Sequence, residues 1–212
     1  MGLGQSFAFV LVPPLARDLG LSVIETSTIF SISAVAWAIT SASWGRASDR
    51  YGRRNIAVIG LIGYSVSIIA LITPLFLVEQ KILDLVYLLP LLILGRLING
   101  LIGSATRPAA FAYMADISER SKRTKKFARL ESSFLIGTIM GPMLGGFLFL
   151  YSKSLPFYVF AFCGFIAAIG IYISFPKHII PKEKIEKAIA KLSYKDKSVW
   201  PFLFIAALSS LC

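Results

Sequence analysis

Apolar residues along this chain are gathered into runs of membrane length, set apart by short charged stretches. No charge falls between Thr26 and Gly45, and none between Asn55 and Val78. Each run approaches the roughly 20 residues that cross a hydrocarbon core as a helix. Read this way, the pattern predicts spans over residues 2–15, 27–44, 56–77, 85–115, 132–151 and 155–175, with a seventh starting at 200. The first and last runs are too short to cross unaided, which predicts that the chain begins inside one helix and stops inside another.

Charge fixes the order of the loops. Of the 22 Lys and Arg, 17 fall in the connections 46–54, 120–129 and 177–197, and the alternate connections hold only Arg17, Lys81 and Lys153. The basic connections are expected to face the cytoplasm. This predicts a multi-pass protein of a cytoplasmic (inner or plasma) membrane. The basic run from Arg120 to Arg129 would also attract anionic lipid headgroups. Between 177 and 197, Ile185, Ala188, Ile189 and Leu192 recur at helical spacing among lysines, which predicts an amphipathic linker over 177–199 on the membrane surface. His178 at its start reads as an interfacial residue.

Composition excludes several classes. The chain is 56% hydrophobic and 16% charged, outside the range of soluble domains. Its net charge of +11 is parcelled out between apolar spans instead of forming one patch, so nucleic acid is not an expected partner. Cys163 and Cys212 stand alone in apolar runs, which gives no disulfide framework and no metal site. No Ser/His pair, acidic dyad or cofactor motif shares a common depth, so neither an enzyme nor a cofactor is expected.

Three stretches carry chemistry. The decapeptide from Gly45 to Arg54, with Asp49, Arg50, Gly52, Arg53 and Arg54, separates the second and third spans and reads as a tight turn. Gly45 is expected to admit a neighbouring backbone, Asp49 to accept bonds from helix N-termini and arginines, and Gly52 to allow the reversal. On the fourth span, Arg96 and Arg107 are the charges deep in an apolar run. Eleven residues is close to three turns, so they fall within about 20° of each other and roughly 16 Å apart, with Gly100 and Gly103 expected on the same side. A guanidinium is costly in lipid, so this face should line the bundle interior. On the fifth span, Gly137, Gly141 and Gly145 share one face as a groove for a second helix, Gly146 follows them, and Pro142 adds a kink. Gln5, Trp37, Asn99 and Phe134 are further cavity candidates.

The decapeptide resembles the signature loop of the major facilitator superfamily, G-x-x-x-D-R-x-G-R-R. The segment Arg96 to Gly103 is similar to that family's R-x-x-x-G-x-x-G element, with Asn99 where Gln is common. Gly137 to Gly146 is similar to the G-x-x-x-G-P-x-x-G-G element of its antiporters, especially drug:proton antiporters. The resemblance implies an all-α membrane fold, six helices in two inverted three-helix repeats over 1–176, which is the amino-terminal half of a twelve-helix transporter. It implies a conformational latch of Asp49, Arg50 and Arg53 with Asp116 as partner. It also implies a secondary transporter exporting drugs or small solutes in exchange for protons, completed by a carboxy-terminal bundle. None of the 11 Asp and Glu lies near the middle of a span, and Glu25, Glu131 and Asp116 are expected at helix ends, which leaves the proton carrier unassigned. Two readings compete: uptake or exchange of an organic anion, favoured by inward arginines without midplane acids, and a non-transporting fragment or scaffold.

Overall fold

The computed structural model describes residues 1–174, and these residues form helices joined by short turns. Seven α-helices follow in order: α1 Gly2–Asp18, α2 Val23–Tyr51, α3 Arg53–Glu79, α4 Leu88–Leu101, α5 Thr106–Asp116, α6 Arg123–Phe149 and α7 Leu155–Ser174. A 3-10 turn at Gly103–Ala105 joins α4 to α5, so Leu85–Asp116 runs as one segment of 32 residues. That segment and α2, α3, α6 and α7 are each long and apolar enough to cross a membrane. α1 has 17 residues. The linker over 177–199, with His178, and the seventh span from 200 lie outside the described residues.

Helix ends run past the apolar windows because the polar ends need not lie in hydrocarbon. Ser22 caps α2: its hydroxyl accepts from the Glu25 backbone N–H at 3.2 Å, and the Glu25 carboxylate accepts from the Ser22 N–H at 2.8 Å. That reciprocal box satisfies two N–H groups a bare helix start would leave open, and accounts for Glu25 without a transport role. At the other end α2 continues through the charged decapeptide to Tyr51 and α3 starts at Arg53. The expected turn of ten residues is therefore a single residue, Gly52, with φ +93°. A side chain there would be strained, which explains the glycine.

The helices pair as two related triplets. α1 packs along α6 and α2 along α4, while α3 packs along α7. If the segments before and after Glu79 are related by a two-fold axis, the first two pairings exchange and the third maps to itself. This is the pattern of inverted three-helix repeats. Phe7 on α1 is fully buried at the centre, its ring 4.7 Å from Phe157 and 4.8 Å from Phe160. Val12, Leu71, Leu88 and Leu92 belong to the same core.

The groove predicted on the fifth span is present and is filled by α1. A Cβ at Gly137 would meet the backbone at Leu3, one at Gly141 the Leu3 carbonyl and the Ser6 hydroxyl, and one at Gly145 the ring of Phe7. Gly146 meets nothing and stands outside the contact. Pro142 lies within the uninterrupted α6.

Candidate functional site

The break between α4 and α5 shapes the middle of the bundle. A 3-10 turn leaves α-helical carbonyls without their usual donors, and in hydrocarbon these must be met by side chains. Here Thr40 donates to the Gly100 carbonyl at 2.9 Å, and Ser104 donates to the Leu101 carbonyl at 3.2 Å, which the Trp44 indole N–H also reaches. Ser33 donates to the Arg96 carbonyl at 2.9 Å and Ser67 to the Gly95 carbonyl at 2.7 Å. α4 is thus tied to α2 on one side and to α3 on the other. A Cβ at Gly100 would meet the Ser33 backbone of α2, and one at Gly103 the Asn99 amide oxygen and, further off, the Tyr64 backbone of α3. Gly100 lies one turn beyond Arg96 in the unbroken α4, and both glycines adjoin residues of the arginine cavity, Gly100 at Ser33 and Gly103 at Asn99.

Arg96 and Arg107 meet at this one cavity of about 230 Å³. Gln5, Trp37, Asn99 and Phe134 line it as well, with Phe9, Phe30, Ser33 and Ala34. All six residues proposed from sequence for a transport path therefore border the same space, drawn from α1, α2, α4, α5 and α6. Arg96 is 3% exposed and lies over the stacked rings of Phe9 and Phe30, 5.4 and 4.8 Å from their centres. Its Nε has no hydrogen-bond partner among the described residues. Arg107 differs: its guanidinium is ion-paired with Glu131 and lies 4.6 Å from the centre of the Phe134 ring.

That pair corrects the placement of Glu131 at a helix end. α6 starts at Arg123, so Glu131 lies more than two turns inside it. The signal was available: no Gly, Pro or Asn separates Arg123 from Leu135, and basic residues alone do not end a helix.

A second constellation sits at the Gly52 end. Arg53 is 8% exposed and uses all three guanidinium nitrogens. Nε donates to Asp116 Oδ2 at 3.0 Å, Nη1 donates to the Ser48 hydroxyl at 2.7 Å, and Nη2 pairs with Asp49. Ser48 is fully buried and passes its own proton to the Gly45 carbonyl at 2.7 Å. The knot joins α2, α3 and α5. Both carboxylates stand in the last turn of their helices and Arg53 in the first turn of its own, the unfavourable ends for each sign of charge. Their mutual pairing, not the helix dipoles, stabilises them.

Four expectations for this region change. Asp49 accepts from an arginine side chain, and no described hydrogen bond runs to it from a helix N-terminus. Arg50 is exposed outside the knot, its guanidinium 5.5 Å from the Tyr51 ring centre. Arg54 reaches the Tyr172 carbonyl at 3.3 Å and tethers α3 to α7. A Cβ on Gly45 would meet open space, so no backbone approach requires that glycine. Ser48, at a variable position of the motif, is the member of the knot that sequence reading passed over.

At the opposite end, Glu79 pairs with Lys153, and the hydrogen bond between them raises the Lys153 ammonium above its ordinary pKa. A groove of about 250 Å³ between Leu15, Ile72 and Lys153 opens there, with no arginine and no aromatic stack like that around Arg96.

Long apolar helices around a polar, arginine-bearing cavity, with a charge knot at the Gly52 end, define a multi-pass membrane protein. The chain belongs to the Major Facilitator Superfamily, whose family model matches residues 1–212. It is 28% identical to the quinolone resistance protein NorA of Staphylococcus aureus (strain MRSA252) over 211 residues, 99% of this chain and 50% of that protein. NorA of strain Mu50 / ATCC 700699 is 28% identical over 190 residues, 90% of this chain and 45% of that protein. Multidrug resistance protein 1 of Bacillus subtilis (strain 168) is 28% identical over 167 residues, 79% of this chain and 40% of that protein. The chain spans about half the length of the curated relatives it matches.

Proposed function

We propose that this chain forms one half of a secondary transporter that exports drugs or other small solutes by alternating access, in exchange for protons. The observation that carries the reading is the cavity: two arginines, an amide pair and aromatic faces gathered at mid-bundle in a protein whose outer helix faces are apolar. Polar groups at that depth are costly and mark solute pathways in membrane proteins. A second six-helix bundle supplies the opposite wall, and the 230 Å³ bordered by this half is just below the roughly 300 Å³ at which small-molecule sites begin. The names of the relatives, quinolone and multidrug resistance proteins, support export of drug-like molecules.

In this proposal the Arg53 knot is the latch. It fastens three helices at the basic, cytoplasmic end, and its charges stand at unfavourable helix termini, so the fastened and released states differ by few interactions. Anionic headgroups gather on the neighbouring basic residues of α6. Coupling requires an acid in communication with the cavity, and Glu131, bonded to the cavity-lining Arg107, takes that role.

Proteoliposomes carrying the protein from its natural reading frame test this. An inward-directed proton gradient should drive export of a fluorescent drug-like dye, and Arg53→Ala should abolish it. Flux that ignores the gradient would remove proton exchange, and no flux for any solute would remove the transporter reading.

A further inference from the structure

The two-fold relation between the triplets carries the Gly52 end of the bundle onto the opposite end, and the charge knot goes with it. The α2–α3 turn maps onto the turn between α6 and α7, and the end of α5 maps onto the end of α1. Asp116 is the last residue of α5 and Asp18 the last residue of α1. Arg53 is the first residue of α3, and Lys153 stands two residues before α7. An acid and a base therefore occupy corresponding places at both ends, but the bonding differs. Arg53 holds Asp116, whereas Lys153 holds Glu79, and Asp18 is in none of the described ion pairs. Asp49 has no acidic counterpart, since α6 ends on Gly146, Phe147, Leu148 and Phe149. Asp18, Glu79 and Lys153 border one groove of about 250 Å³, and its walls, α1, α3 and the α6–α7 turn, all belong to the described bundle. The hydrogen bond from Lys153 to Glu79 does most to raise the ammonium pKa, and the charge of Asp18 adds to it.

We propose that Asp18 and Lys153 form a second latch, which closes when the Arg53 knot opens, with Lys153 passing from Glu79 to Asp18. Two segments related by a two-fold axis and held in different shapes can trade those shapes, which reverses the end that is closed. The trade gives Asp18 the bonded arrangement now seen at Asp116, and gives Asp116 the open one now seen at Asp18. The seam between α1 and α6 permits the motion, because Gly137, Gly141 and Gly145 present backbone, not side chains, to Leu3, Ser6 and Phe7. Lys153 exchanges one carboxylate for another near the surface, so the two states differ little in energy, as a reversible latch requires. Asp18 and Lys153 are positioning residues in this role. That role in transport rests on reading the Arg53 knot as a latch.

Cross-linking across the groove tests the second latch in liposomes carrying the protein from its natural reading frame. Leu19→Cys and Ser152→Cys, with every other cysteine replaced by serine, border the groove and leave Asp18 and Lys153 in place. Asp116→Asn loosens the knot while Asp49 and Ser48 still hold Arg53. It should speed bridging by a short bifunctional methanethiosulfonate about fivefold, the most that one partly exposed ion pair gives. Adding Asp18→Asn or Lys153→Met should take back most of that gain, and adding Lys153→Arg should keep it. Asp18→Asn alone should slow bridging about twofold in the otherwise native protein, so the test does not depend on the knot variant folding. A rate indifferent to Asp18→Asn, or a gain from Asp116→Asn that survives Asp18→Asn, overturns the second latch. Bridging needs no solute, so the two readings fail separately. Export of a dye with bridging indifferent to Asp18 would remove the second latch alone. Bridging that follows the expected pattern in a protein exporting no solute would keep the coupled ends and remove the transporter reading.

Discussion

Arg53 and Arg96 are both buried arginines of one small bundle, 8% and 3% exposed, and they are in opposite situations. Arg53 has every nitrogen engaged, by Asp116, Ser48 and Asp49. Among the described residues, Arg96 has an unpartnered Nε and two aromatic faces. The fold needs the first, because removing it strands two carboxylates at helix C-termini. It does not need the second, because removing that residue relieves a buried charge. Burial of a charge therefore says little by itself: the partners decide whether it holds the structure together or awaits something from outside.

The largest effect should come from Arg53. Arg53→Met leaves Asp49 and Asp116 unpaired, and because both carboxylates are partly exposed the loss is expected near 2 kcal/mol, below the value for a fully buried pair. Thermal unfolding followed by size exclusion would record it, and Arg53→Lys, with one ammonium for three partners, should fall between. A similar loss, about 2 kcal/mol, is expected of Gly141→Leu, which drives a side chain into the Leu3 carbonyl and the Ser6 hydroxyl. Gly45→Ala and Gly146→Ala should each change stability by less than about 0.5 kcal/mol, since nothing stands within reach of either Cβ. A large loss at Gly45 would mean that the glycine serves another conformation of the protein.

The smallest effect belongs to Glu79 and Lys153. This exposed pair should contribute under about 0.5 kcal/mol in a double-mutant cycle. Its pH dependence has a definite sign. The Lys153 pKa is raised in the folded protein, so the contribution is complete below the ordinary lysine value near 10.4 and fades as pH rises through the higher folded value. A pair that weakened on going from pH 7 to pH 9 would contradict this.

Much of the architecture is legible in the sequence because hydrocarbon imposes one rule, that apolar runs of sufficient length become helices. The α1–α6 seam follows from Gly137, Gly141 and Gly145 at a spacing of four. Helix ends are less legible, since a charged residue is as compatible with helix as with loop once outside the hydrocarbon. Reading 45–54 as a turn hid the continuation of α2 to Tyr51, and reading 120–129 as a loop hid Glu131 inside α6. The six cavity residues were individually nameable as polar or aromatic side chains at depth, but the break at Gly103–Ala105 between α4 and α5 has no periodic signature. Ser48 is buried by three-dimensional packing alone.

The most direct measurement is the unfolding midpoint of Arg96→Met beside that of Arg53→Met in the same detergent. If Arg96 is a buried cation without an anion, Arg96→Met should be more stable than the native protein by about 1 kcal/mol, while Arg53→Met is less stable. Two midpoints shifted downward together would contradict the account, because they would show that Arg96 has stabilising partners and that its charge is not left open.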